Sequence, residues 1–108
     1  MVYYKHAFPD YDGELNYPPG FLGSGWVDSS WKNDTCPKIT LDLDGDHYLT
    51  IFQDYANEDL RETGGPRYMV LGPQGGFIQE EPDVLLTTDS WEDVLELNLA
   101  ERYAFWCY

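Results

Sequence analysis

A chain of 108 residues with 20 acidic side chains against 6 Lys and Arg carries a net charge of −14, well beyond the magnitude of ~2–8 that solubility alone calls for. A surface of one sign repels the phosphates of nucleic acid and anionic membranes and attracts basic proteins. With 43% hydrophobic and 17% aromatic residues the chain is one folded domain, not a disordered acidic tail, and it is long enough to need neither metal nor disulfide.

The first stretch, residues 1–5, reads as a short strand with Val2 and Tyr4 opposite Tyr3 and Lys5. Its start lacks the apolar run of a secretion signal, and no segment reaches the ~20 apolar residues of a membrane span. A cytoplasmic protein with Cys36 and Cys107 as reduced thiols is therefore expected. Between residues 8 and 33, Pro9, Pro18, Pro19, Gly13, Gly20, Gly23 and Gly25 break any regular period, and the segment 1–37 reads as loop-rich. Phe8, Tyr11, Tyr17, Phe21, Trp26 and Trp31 sit in it. They either close as a lid over a sheet face or stand as an aromatic platform for a partner. Trp26-Val27 starts a short strand.

The strongest local signal is residues 38–54, KITLDLDGDHYLTIFQD, a β-hairpin. Ile39, Leu41 and Leu43 alternate with polar residues, and Asp44-Gly45 marks the turn. A two-residue loop pairs Leu41 with Tyr48. A three-residue loop, 44–46, pairs Leu43 with His47, Leu41 with Leu49 and Ile39 with Ile51, and collects five aliphatic side chains on one face. The longer loop is the favoured one. Tyr48, Thr50 and Phe52 then share the opposite face, the one the aromatic lid is expected to cover.

Residues 57–62 form one helical turn capped by Asn57, with Glu58 and Asp59 near its positive end. Residues 67–71 read as a strand, 73–76 as a turn, 77–79 as a fourth strand and 80–88 as a connection. In residues 90–101, Ser90 with Asp93 marks a helix start, and Trp91, Val94, Leu95 and Leu99 share a helical face. Leu95, Leu97 and Leu99 also alternate as a strand would. Leu, Glu and Ala favour the helix. The final residues 102–108 read as an aromatic strand with Tyr103, Phe105 and Cys107 on one side.

No catalytic motif emerges. Placing Gly45 sixth in a calcium loop puts Thr40 and Ile51 at the first and twelfth positions, where carboxylates are required. His6 and His47 lack the spacing of zinc ligands. Ser24 is not in a nucleophile elbow, and residues 72–76 lack the Lys and the helix of a phosphate loop. Neither an enzyme nor a cofactor is expected.

The hairpin residues HYLTIFQD, the following GGPRYMVLG, the capped helix and the aromatic end resemble small acidic immunity proteins of bacterial toxin systems. The resemblance spans about residues 38–108, and phage-encoded anti-defence inhibitors and DNA mimics share the size and charge. It implies stoichiometric occlusion of a basic active site or nucleic-acid channel.

The expectation is one α+β domain over residues 1–108, with a loop-rich aromatic segment 1–37 followed by a mostly antiparallel sheet and one main helix over 38–108. Its partner is a basic protein such as a nuclease, toxin or defence complex. Trp26 and Trp31 are candidate anchors, and Asp42, Asp44, Asp46, Asp54, Glu58, Asp59 and Glu62 are candidate carboxylates for contact. The alternative is a small ligand- or carbohydrate-binding module that uses the Tyr/Trp-rich N-terminal loop.

Overall fold

A computed structural model describes residues 4–18, 25–43, 46–62, 64–75 and 82–103 of the chain. The hairpin lies at the centre of a five-stranded sheet. The strands β1 Val27–Asp28, β2 Lys38–Asp42, β3 His47–Gln53, β4 Tyr68–Gly75 and β5 Val84–Thr88 lie side by side in chain order, every pair antiparallel. β2 and β3 pair Ile39 with Ile51 and Leu41 with Leu49, and the Leu43 N–H donates to the His47 carbonyl at 2.8 Å. That is the register of the three-residue loop. It buries Ile39, Leu41, Leu49 and Ile51 completely, each contributing about 1.5–3 kcal/mol.

Two short helices, α2 Trp91–Glu96 and α3 Leu99–Arg102, follow the sheet. Val94, Leu99 and Tyr103 join the hairpin aliphatics, Tyr68 and Val70 in one core, so the domain is α+β with its helices on one sheet face. The expected single helix over 90–101 is broken. The Leu97 and Asn98 N–H groups turn back to Val94 and Leu95, three residues away, and Asn98 takes φ 53°. Asn accepts this left-handed conformation at a helix end. The break lets Val94 and Leu99 both bury, while Leu95, expected on the same face, is 41% exposed. Ser90 makes no side-chain cap to the helix backbone. The Thr88 hydroxyl instead accepts the Ser90 N–H at 3.0 Å and donates to Asp93 at 2.6 Å.

Other expectations change as well. Tyr4–Ala7, named α1, is a helical turn and not a strand, because the Phe8 N–H closes on the Tyr4 carbonyl and the Tyr4 N–H caps onto Asp28. The strand expected at 67–71 extends as β4 to Gly75, through the residues read as a turn. Tyr48 faces Gln74 and Thr50 faces Leu71, so Gly72 and Pro73 together oppose Leu49 in a bulge, where proline's missing N–H is tolerated. Gly75 has φ 114°, and a Cβ there would run into the Asp46 carbonyl. The connection expected over 80–88 contains β5, whose ladder to β4 is itself bulged between Val70 and Leu71. Arg102 closes α3, so the last strand does not begin there. The strand expected at 77–79 and the rest of 104–108 lie outside the described residues, as do Asp44 and Cys107.

Some of the N-terminal aromatics close over the sheet, on the opposite face from the one expected, while Tyr17 and Trp31 stay about half exposed. Tyr4 and Trp26, with Leu15, are part of the aliphatic core, and Tyr11 packs against it. Tyr11 also meets Tyr4 and Tyr55 edge-on, with ring centroids 5.7 and 5.3 Å away. The aliphatic face has the most apolar area to cover, which is why it draws the aromatics.

Candidate functional site

One end of the molecule gathers carboxylates from two segments distant in the chain. After β3 the chain turns through Asn57, whose side chain accepts the Asp59 N–H at 3.0 Å and caps a single 3-10 turn, Glu58–Leu60. Both oxygens of Asp12 reach across, accepting the Ala56 and Asn57 N–H groups at 2.8 Å each. This seats the 10–12 segment against the 54–62 loop. Asp10, Asp12, Glu58, Asp59 and Glu62 are exposed there, with Leu60 49% exposed among them.

The nearby arginines turn inward. Arg61 is only 8% exposed. Its Nε donates to the Tyr55 carbonyl at 2.6 Å, Nη1 to the Gly65 carbonyl at 2.9 Å and to Asp89 at 3.0 Å, and Nη2 to the Ala56 carbonyl at 3.0 Å. Arg67 sends its guanidinium over the Tyr68 ring, 5.1 Å from the centroid, and its Nε toward the Asp54 carbonyl at 3.3 Å. The cations staple loops and the anions face water.

The titration shifts record this crowding. Burial, then repulsion from Asp10, Asp54 and Asp12, raises the pKa of Tyr55. Burial raises that of Asp54, with Glu62 and Asp12 adding to it against the Tyr55 N–H and Arg61. In Asp12 desolvation is the largest single influence and would raise the pKa, but the N–H groups of Asn57 and Ala56 together, with its own N–H and Arg67, outweigh it and hold the carboxyl below its ordinary range.

The nine candidate contact residues do not form one patch. Asp54, Glu58, Asp59 and Glu62 share the end just described. Asp42 and Asp46 are exposed at the hairpin tip, at the far end of a seven-residue strand, a separation of roughly 20 Å at ~3.3 Å per residue. Trp26, expected as an anchor, is only 9% exposed and belongs to the core, which corrects that assignment. Among the described residues its indole nitrogen has no hydrogen-bond partner. Trp31 is 52% exposed, on a turn closed by the Asp34 N–H to the Trp31 carbonyl at 2.9 Å.

A second feature was not anticipated from the sequence. Phe52, Met69 and Thr87 are register partners across β3, β4 and β5, on the sheet face away from the core. They floor a pocket of about 470 Å³, walled by residues 33–36 and 65–67 and by Asp54. The alternation of the hairpin already set Phe52 off the aliphatic face. The other walls come from loops whose approach no local pattern announces. Cys36, a free thiol in this wall, is pushed up to about 12 by burial and by the nearby Asp54 and Asp34, so it is not a nucleophile at neutral pH.

Among the described residues, no group of three or more His, Cys, Asp or Glu side chains is placed to hold a metal ion. No described helix is long and apolar enough to cross a membrane. No family model, curated protein or solved structure matches the chain.

Proposed function

We propose that this chain is an acidic inhibitor that binds and occludes a basic, nucleic-acid-handling protein, in the manner of toxin immunity proteins or phage anti-defence inhibitors. The observation that carries the reading is the division of charge at one end of the fold. Asp10, Asp12, Glu58, Asp59 and Glu62 face outward while Arg61 and Arg67 are spent on internal contacts. A net −14 chain that also commits the two arginines at this end, Arg61 and Arg67, to internal contacts keeps a negative potential there, and such a potential steers a cationic partner. The protein acts by occupancy, not by catalysis.

Carboxylates at a rim contribute little affinity individually, so an apolar anchor is needed. Trp31 and Leu60 are the exposed candidates. The alternative ligand-binding module needs an open aromatic platform, and the burial of Phe8 and Trp26 takes two members from it, leaving Tyr17 and Trp31 about half exposed.

The test is capture of the partner from host lysate with the tagged chain, followed by association kinetics at low and high salt. A basic target whose nucleic-acid activity is silenced at a one-to-one ratio is expected. Replacing Glu58, Asp59 and Glu62 by Lys should slow association by about tenfold or more and leave the melting temperature nearly unchanged. An association rate indifferent to salt and to this reversal rules the reading out.

A further inference from the structure

The pocket on the outer sheet face has a chemistry that the acidic end alone does not explain. Its floor is apolar, with Phe52 and Met69 side by side, and its walls carry two carboxylates, Asp34 and Asp54. Asp34 already has a cation beside it, since Lys38 Nζ stands 3.0 Å from its Oδ2, though not in hydrogen-bonding geometry, and lies over the Phe52 ring at 5.7 Å. Asp54 does not. Its Oδ1 accepts the neighbouring Tyr55 N–H at 2.8 Å, and among the described residues no basic side chain forms an ion pair with it. Arg67 lines the pocket, and its guanidinium is taken up by the Asp54 backbone carbonyl, 3.3 Å from Nε, by the Tyr68 ring and by the neighbourhood of Gly13, where a Cβ would sit 3.1 Å from Nη2.

We propose that this pocket receives one arginine or lysine side chain of a basic partner protein, its aliphatic stem on Phe52 and Met69 and its cationic head at Asp54. The proposal rests on the inhibitory function above and gives it an anchoring position. Long basic side chains bury their methylenes on apolar surface while the charged head seeks a carboxylate. The place of the pocket in the fold fits a protein occupant. The turn carrying the exposed Trp31 leads directly into the 33–36 wall, and Asp54 leads directly into the acidic loop. A basic surface that lies across all three meets an aromatic contact, a socket and a field of carboxylates in one footprint.

The intact chain, isotopically labelled, can be titrated with hexa-arginine amide, hexa-lysine amide and arginine amide while amide and Met69 methyl signals are followed. Shifts at Cys36, Asp54 and Met69 are expected with the peptides. Thr87→Phe fills the socket from an exposed strand position without changing charge, and should weaken peptide binding by about tenfold. Asp54→Asn, which keeps the size of the side chain, should weaken it by a similar factor, about tenfold, through loss of a charge-assisted contact. Peptide binding that moves only the signals of residues 56–62, leaves Cys36, Asp54 and Met69 unmoved and survives both variants overturns the socket and leaves the inhibitor reading standing. Arginine amide binding as tightly as the peptides would make the pocket a small-cation site and also overturn the proposal. Failure of both peptides to bind at low salt removes the socket and the inhibitor reading together.

Discussion

Gln53 and Asn16 exchange two hydrogen bonds. Gln53 Oε1 accepts the Asn16 N–H at 2.8 Å, and Gln53 Nε2 donates to the Asn16 carbonyl at 2.7 Å. The amide side chain thus imitates a strand partner for one residue of the N-terminal segment. Gln53 is fully buried at the end of β3, and Asn16 continues the chain of contacts by donating to the Tyr68 hydroxyl at 3.1 Å. This latch holds the segment from Leu15 onward against the aliphatic face.

Gln53→Leu keeps the bulk and leaves both Asn16 backbone groups without partners. Each such group costs about 1–3 kcal/mol, so a loss of about 2–5 kcal/mol is expected in denaturant melts. A loss below about half a kcal/mol would show that water replaces the side chain at no cost, and that the latch does not hold the segment.

Arg61 is the corresponding device for the 54–67 loop. Arg61→Lys keeps the charge but cannot serve the Tyr55, Ala56 and Gly65 carbonyls and Asp89 at once, because an ammonium lacks the planar fork. The expected cost is about 2–4 kcal/mol from orphaned partners around a buried cation. Hydrogen exchange should localise it, with protection falling first at the amides of Leu60, Arg61 and Gly64, which close the turns of this loop. Unchanged protection at those three amides would mean that the loop holds without its guanidinium.

The parts of this fold that were legible in the sequence are those set by short-range pattern. Two alternating arms around Asp44-Gly45 admit one register that buries five aliphatics, and the strands pair that way. The capping of Asn57 was equally readable. What escaped depends on contacts between distant segments. β5 carries a bulge that spoils the alternation of Val84-Leu85-Leu86, and Asn98 breaks a helix that propensity alone would continue. No local pattern marks Gln53 and Arg61 as buried, because their partners Asn16 and Asp89 lie far along the chain. The pocket is assembled from several separate segments, with Phe52 alone hinted at by the face it occupies.

Asp12 and Asp54 respond to pH in opposite directions. The pKa of Asp12 is lowered in the folded chain from its ordinary 3.8, so its contribution to stability is present above that value and is lost as the pH falls through the folded pKa. Asp12→Asn should therefore lower the denaturation midpoint at neutral pH and have no effect in strong acid. Asp54 is raised from 3.8, by burial first and then by Glu62 and Asp12, against the Tyr55 N–H and Arg61. Its protonated form is favoured on folding. The resulting stabilisation is full below the unfolded value and disappears as the pH rises through the folded one, which leaves the charged carboxylate opposing folding at neutral pH. Asp54→Asn should then raise the midpoint at neutral pH, with no gain in acid, while weakening the binding of a cationic peptide. A neutral-pH midpoint that falls instead would show that the Asp54 charge already has a stabilising partner within the fold, and that no partner side chain is needed to compensate it.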